Sequence, residues 1–152
     1  MMIYLITGLA GSTLTISGCD SGSVPPRAVA TLSGANVTRS ADPAVLEKGR
    51  QIFGQHCAKC HGAQAEGAAN WRNKQTDGKY PPPPLNGSGH DWHHPRQELH
   101  DFIKNGSPPG TGDMPAWKGK LSDEDIDAVI VWFQSLWPDE VYAAWVDRHA
   151  IR

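Results

Sequence analysis

The chain is short of cysteine, of net charge and of long apolar runs, and each shortage excludes something. Three cysteines in 152 residues are too few for a disulfide-built scaffold, and the odd number has to be accounted for. The balance of 14 Lys and Arg against 16 Asp and Glu leaves a net charge of −2 and a pI near 6.4. That excludes a domain that holds nucleic acid through bulk positive charge. No apolar run approaches the roughly 20 residues of a membrane-spanning helix. What is abundant is glycine, 16, and proline, 12, which implies much loop. A chain 39% hydrophobic and 20% charged is ordinary for a folded domain and too apolar for disorder throughout. The length suits one domain with extensions.

The first 16 residues are apolar or small and carry no charged side chain; Ser17, Gly18 and Cys19 follow. An aliphatic residue, two small residues and a cysteine resemble the cleavage site of a bacterial lipoprotein signal. The positively charged start of such signals is missing, and a plain secretory signal with a coincidental cysteine is the alternative. On the lipoprotein reading residues 1–18 are a signal peptide and Cys19 is the acylated N-terminus. The 134 residues that remain then hold, besides Cys19, two cysteines, Cys57 and Cys60. Residues 19–41, rich in Ser, Gly, Pro, Thr, Ala and Val with no period, read as a flexible linker from lipidated Cys19. The domain would then sit at the periplasmic face of a bacterial membrane through its lipid anchor, or free in the periplasm.

The folded domain is expected over residues 42–138, with 139–152 as a C-terminal extension of a turn or two of helix. Asp42 can cap a helix whose first position suits Pro43. Val45, Leu46, Gly49, Ile52 and Phe53 share one face of it at helical spacing. Gly49 in mid-helix costs about 1 kcal/mol against alanine, which suggests another element passing close by. Residues 56–89 read as loop and include the run Tyr80-Pro81-Pro82-Pro83-Pro84, which is extended rather than helical. A short helix, residues 95–105, turns Leu99, Phe102 and Ile103 inward and ends at Gly106. A longer one is capped by Ser122, has Asp123, Glu124 and Asp125 in its first turn and stops before Pro138. There is no internal repeat. The fold class is all-α, three to four short helices with long loops.

The chemistry lies in Cys57-Ala58-Lys59-Cys60-His61. Cys-x-x-Cys-His is the attachment signature of c-type haem. Two thiols three residues apart on a helical turn can each add to a haem vinyl group, and His61 then points its imidazole at the iron. A thioredoxin-like dithiol would need a βαβ pattern, which is absent. Zinc would need two histidines besides this motif, and a disulfide between Cys57 and Cys60 would close a tight, strained loop. With Met1 and Met2 lost in the signal, Met114 is the one methionine left. It lies on a polar loop, Gly112-Asp113-Met114-Pro115, rather than on an apolar helix stripe, which suits a sixth iron ligand opposite His61.

These features together resemble a class I c-type cytochrome over residues 42–137. The resemblance implies the cytochrome c fold around one haem c bound covalently through Cys57 and Cys60, with iron held by His61 and Met114. Pro83-Pro84-Leu85-Asn86-Gly87 takes the place of that family's Pro-x-Leu-x-Gly loop. By that match the Pro83 carbonyl accepts the Nδ1–H of His61 and leaves Nε2 for the metal. The family's terminal helices cross at a glycine and aromatic contact, matched by Gly49 and Phe53 on the first and Val129 and Trp132 on the last. Two features depart from it: the long segment 63–80 and the extension from Asp139. The implied function is electron transfer by Fe(II)/Fe(III) cycling between exported-side redox partners in a respiratory or periplasmic chain. On this reading the chain is not itself an enzyme, although it can serve as a subunit of an oxidoreductase complex. Contacts with donor and acceptor would be transient, the chain a monomer, and nucleic acid no partner.

His90, His93, His94 and His100 fall within eleven residues. Copper or zinc would accept such donors, yet His94 before Pro95 can serve as a helix cap and adjacent histidines rarely converge on one ion. His56 reads as a polar neighbour of the motif. Residues 42–120 hold ten Lys or Arg against eight Asp or Glu, and residues 121–152 hold two against seven. Lys59, Lys79, Lys104, Lys118 and Lys120 are therefore candidate docking charges.

Overall fold

Two helices far apart in sequence cross at a single glycine, and the domain is assembled around that crossing. The computed structural model describes residues 27–39 and 42–149. The segment 1–18, Cys19 with the linker before residue 27, residues 40–41 and residues 150–152 lie outside the described residues. The first helix, α1 (Pro43–His56), starts where the Asp42 carboxylate accepts the Ala44 N–H at 2.7 Å, with Pro43 in the first position. Its last turn runs into α2 (Ala58–His61), one turn carrying the cysteine motif. The next helix, α3 (Arg96–Asn105), is preceded by Pro95 and ends at Gly106, whose φ of 79° is left-handed. α4 (Asp123–Ser135) opens with a reciprocal cap: Ser122 Oγ accepts the Asp125 N–H at 3.2 Å and Asp125 Oδ2 accepts the Ser122 N–H at 3.0 Å.

The core lies where α1, α3 and α4 meet: Phe53, Leu99, Ile103, Ile126, Val129, Ile130, Trp132 and Phe133 are buried together. A Cβ placed on Gly49 would stand 2.0 Å from the Ala128 carbonyl oxygen and 2.8 Å from Trp132 Cβ. The glycine is there because the backbones touch. The rings of Phe53 and Trp132 pack beside it, tilted by 41° with centroids 4.4 Å apart. The expected pairing had Val129 at this contact. Ala128 takes that place because residues 128 and 132 are one helical turn apart and share a face, whereas Val129 lies 100° round the helix. Lys48 on α1 and Asp125 on α4 close the crossing with an ion pair of 2.7 Å.

Two segments differ from the sequence expectation. Within the stretch read as linker, β1 (Arg27–Ala30) and β2 (Asn36–Arg39) form an antiparallel hairpin in which Val29 pairs with Val37. The extension is a full helix, α5 (Asp139–His149), rather than a turn or two. Among the described residues the fold therefore has five α-helices and one two-stranded sheet. Both elements hold because they fasten to each other and to the end of α4. Arg39 donates from Nη1 to the Trp137 carbonyl at 2.6 Å and to Asp139 Oδ1 at 3.0 Å, and from Nη2 to the Gln134 carbonyl. It thereby adds a charged donor to carbonyls at the end of α4, where the helix dipole favours positive charge. Its guanidinium also lies 4.7 Å from the Tyr142 ring centroid. At the other end of α5, Asp147 accepts the Leu32 N–H at 2.6 Å and the Ser33 hydroxyl at 2.5 Å.

Arg39 is 11% exposed, so its removal takes largely buried, charge-assisted hydrogen bonds from the end of α4. Arg39→Ala is expected to cost about 2 kcal/mol and lower the thermal midpoint by roughly 5 °C. Amides of α5 should exchange faster than those of α1. Arg39→Lys should recover little, because an ammonium cannot reproduce the planar fork. A midpoint unchanged in both variants would show that the hairpin does not support the C-terminal helix.

Candidate cofactor site

Helix α1 delivers the motif directly: the Cys57 N–H donates to the Phe53 carbonyl at 2.8 Å and caps the helix. The N–H groups of Cys60 and His61 then both donate to the Cys57 carbonyl at 3.0 Å, closing the single turn of α2. The two cysteines are free thiols, Cys57 half-buried and Cys60 exposed. Burial, and then the neighbouring Cys60, push the Cys57 thiol up to about 11.

Beyond α2 the chain returns along itself. Gly67, with φ 65°, donates its N–H to the His61 carbonyl at 2.7 Å, and a Cβ there would stand 2.3 Å from Pro84 N. This close approach lets the proline run lie against residues 65–68. Ala68 N–H reaches the Pro82 carbonyl at 2.9 Å and Leu85 N–H the Ala65 carbonyl at 2.8 Å. Between these two bonds the Pro83 carbonyl stands 2.9 Å from His61 Nδ1. A carbonyl only accepts, so Nδ1 carries the proton and Nε2 keeps its lone pair. The ring is 7% exposed. Burial lowers its pKa against the opposing pull of the Pro83 bond, so the imidazole is neutral, the form that ligates a metal.

Met114 follows α3 on a loop pinned at both ends. Its carbonyl accepts the Ser107 N–H at 3.0 Å, and its own N–H donates to Ser107 Oγ at 3.2 Å. Lys118 N–H reaches the Lys104 carbonyl at 2.9 Å. Trp117 packs on His56 with ring centroids 5.0 Å apart, which joins this loop to the end of α1. Met114 and Cys57 both pack against the buried core cluster. The structure thus sets two thiols, a neutral imidazole with a free nitrogen and a half-buried thioether around one apolar core. A soft, covalently anchored metal cofactor is what that donor set suits.

The histidine-rich segment does not gather into a site. His90 stacks on Trp71 at 5.3 Å and stands 5.4 Å from the His94 ring. His93 packs on Trp92 at 3.9 Å, and His100 Nε2 faces Asp123 at 3.5 Å. His94 caps no helix: its Nδ1 lies 3.2 Å from Glu98, and its carbonyl accepts the Trp145 indole N–H at 3.0 Å. Among the described residues no group of three or more His, Cys, Asp or Glu side chains is placed to hold an ion. Two of the candidate docking lysines are already paired, Lys79 with Asp113 and Lys104 with Asp123; Lys59, Lys118 and Lys120 are exposed.

Two residues of the neighbourhood were not anticipated. The Trp137 indole N–H donates to the Leu85 carbonyl at 2.9 Å and holds the loop that carries Pro83. Asp91, on a 3-10 turn (Asp91–His93), is 4% exposed with neither carboxylate oxygen in a hydrogen bond of good geometry. Burial pushes its pKa up to about 6. Nothing in the polar run around Asp91 marks it as buried, and Trp137 sits where the helical pattern stops.

The family model described as "Cytochrome C oxidase, cbb3-type, subunit III" matches residues 44–133. The cbb3-type cytochrome c oxidase subunit FixPc of Rhizobium leguminosarum bv. viciae is 31% identical over 96 residues, which are 62% of this chain and 29% of that one. The subunit CcoP of Azospirillum brasilense is 32% identical over 98 residues, 64% of this chain and 30% of that one. Cytochrome c6 of Bryopsis maxima is 33% identical over 89 residues, 57% of this chain and 86% of that one. The solved structure of cytochrome CL from Methylophaga aminisulfidivorans aligns with a TM-score of 0.42 at 21% identity, over 69% of this chain and 61% of that one. The chain thus spans about 30% of the length of the cbb3-type subunits it matches and most of the cytochrome c6.

Proposed function

Because the chain belongs to the class I c-type cytochrome family, whose members bind haem c and transfer electrons, we propose that Cys57, Cys60, His61 and Met114 hold one haem c. The observation that carries this is His61: immediately after two thiols, its ring is locked by Pro83 with Nε2 left free. Bound haem supplies one-electron cycling between Fe(II) and Fe(III). Everything else is the work of the chain. Cys57 and Cys60 would anchor the haem covalently, and His61 and Met114 would hold its iron. Phe53, Leu99, Ile103 and Phe133 keep water out of the pocket, with Leu85, Phe102 and Trp117 at its margin. With His61 and Met114 both holding the iron, the chain would carry electrons rather than act on a substrate at the metal.

The partners follow from the same reading. The cbb3-type relatives are named as oxidase subunits, which supports a membrane-bound oxidoreductase as acceptor or host complex. Docking is brief and buries less than about 1,200 Å². The chain works as a monomer on the exported side of a bacterial membrane, anchored through acylated Cys19. Among the described residues no helix is long and apolar enough to cross a membrane.

The test is attachment. Exported from a host that matures c-type cytochromes, the protein should retain haem on a denaturing gel, one haem per chain by pyridine haemochrome, with sharp bands when reduced. The Cys57→Ala/Cys60→Ala double variant should lose all covalent haem. A wild-type chain that takes up none under these conditions would sink the proposal.

A further inference from the structure

Among the described residues Asp91 is the one acidic side chain that is buried, 4% exposed, and no hydrogen bond of good geometry satisfies its oxygens, although the Trp137 indole and the N–H groups of Asp91 and Trp92 weakly favour its anion. A carboxylate buried with so little hydrogen bonding is costly as an anion and cheap as an acid, so it is a proton site wherever the local potential changes. Asp91 also occupies one end of a continuous line of contacts. Its carboxyl group faces the Trp137 indole, whose N–H is bonded to the Leu85 carbonyl at 2.9 Å. Leu85 belongs to the loop segment whose Pro83 carbonyl holds His61 Nδ1 at 2.9 Å. The carboxylate therefore bears, through Trp137, on the loop that orients the imidazole proposed to ligate iron.

We infer that Asp91 is a positioning residue for electron transfer, binding a proton when the iron held by His61 is reduced and releasing it on oxidation. This rests on the haem reading above. The step balances: one electron enters from the reduced redox partner, one proton enters from solvent and forms the O–H bond of Asp91, and the interior gains no net charge. On oxidation that O–H bond breaks and the proton returns to water. An added electron and an ionised carboxylate repel strongly in a poorly polarisable interior, so the reduced state favours the acid form.

The surrounding charges leave this titration in the useful range. His94 on the adjoining turn acts on Asp91 and favours the anion, more weakly than burial disfavours it. Arg148 and His149 of α5 act on His93 instead. Arg72 of the long loop acts on His90, and Arg39 of β2 is engaged at the Trp137 carbonyl and Asp139. The resting value of about 6 lies above the ordinary carboxylate range, so the folded state holds this proton over an interval where the unfolded chain has lost it. As pH rises through that interval the buried anion forms and stability falls.

The experiment is the midpoint potential of the intact haem protein from about pH 5 to about pH 8, wild type beside Asp91→Asn. In the wild type the equilibrium constant for reduction should fall with rising pH, by up to tenfold per unit, or about 59 mV, over part of this range. In Asp91→Asn, which keeps shape and burial, that dependence should flatten. Redox-difference infrared spectra of the wild type should show a protonated carboxyl band in the reduced state that the variant lacks, a readout a merely structural role would not move. A wild-type potential independent of pH, or a slope unchanged in Asp91→Asn, overturns the inference and leaves the haem assignment standing. A chain that carries no haem overturns both.

Discussion

Gly49→Ala should leave the domain barely folded. The added Cβ would sit 2.0 Å from the Ala128 carbonyl oxygen, 2.6 Å from its carbon and 2.8 Å from Trp132 Cβ. None of these belongs to the movable end of a long side chain: two are backbone atoms of a rigid helix, and the third is the fixed root of a buried indole. The helices can admit the methyl only by separating, which pulls Phe53 off Trp132 and opens the core along its length. Over-packing usually costs 1–3 kcal/mol, and occasionally more. With backbone as the obstacle the cost should be on the order of 3 kcal/mol or above, against a total stability of about 5–15 kcal/mol. The helix propensity gained by alanine, about 1 kcal/mol, offsets a minor part. Thermal unfolding followed by circular dichroism should show the midpoint falling by about 10 °C or more. Gly54→Ala, where nothing lies within 4 Å, should be neutral or slightly stabilising and serves as the control. Equal midpoints for the two variants would mean the helices do not cross as described.

Met114→Ala should change the redox chemistry far more than the stability. The side chain is half-buried at the margin of the core, so its loss removes modest packing. The loop should stay in place, because its bonds to Ser107 run through the Met114 backbone. What disappears is the thioether. The near-infrared methionine–iron band should vanish, the spectrum shift toward high spin, and the reduced protein bind carbon monoxide at the vacated position. Thioether ligation raises the potential of haem iron, so the midpoint should fall by on the order of 0.2 V, within the roughly 0.8 V that axial ligation spans. A wild-type spectrum that is already high-spin, or one untouched by the substitution, would mean that Met114 is not the ligand and would favour sensing or catalysis at the iron.

The parts legible from the sequence are those whose signal is local. Asp42-Pro43 and Ser122 with Asp125 announce helix starts within four residues, and the five-residue cysteine motif names its chemistry without help from the rest of the chain. The Pro83 contact needed the family resemblance, because twenty-two residues separate it from His61 and nothing at either end marks the pair. What escaped depends on long-range fastening. The hairpin has two strands of four residues with small side chains, too short for an alternating pattern to stand out, and it is held by Arg39 and Asp147 across about a hundred residues of chain. The extension reads as a weak amphipathic segment until its Trp145 is seen bonded to His94. Asp91 escaped for the opposite reason: composition points every aspartate in a polar run toward water, and only the arrival of Trp137 and α5 covers this one.

The hairpin also alters how far the domain can travel. With Cys19 held in the membrane, as proposed, a free leash running to residue 42 could extend about 80 Å at roughly 3.5 Å per residue. Arg39 and Asp147 fasten the chain to the body from residue 27 onward, which leaves eight residues and a reach of about 28 Å. The volume searched shrinks on the order of 20-fold, and the local concentration at a neighbouring membrane protein rises in proportion. A domain on so short a leash would, with that anchor, exchange electrons chiefly with what stands beside it in the membrane.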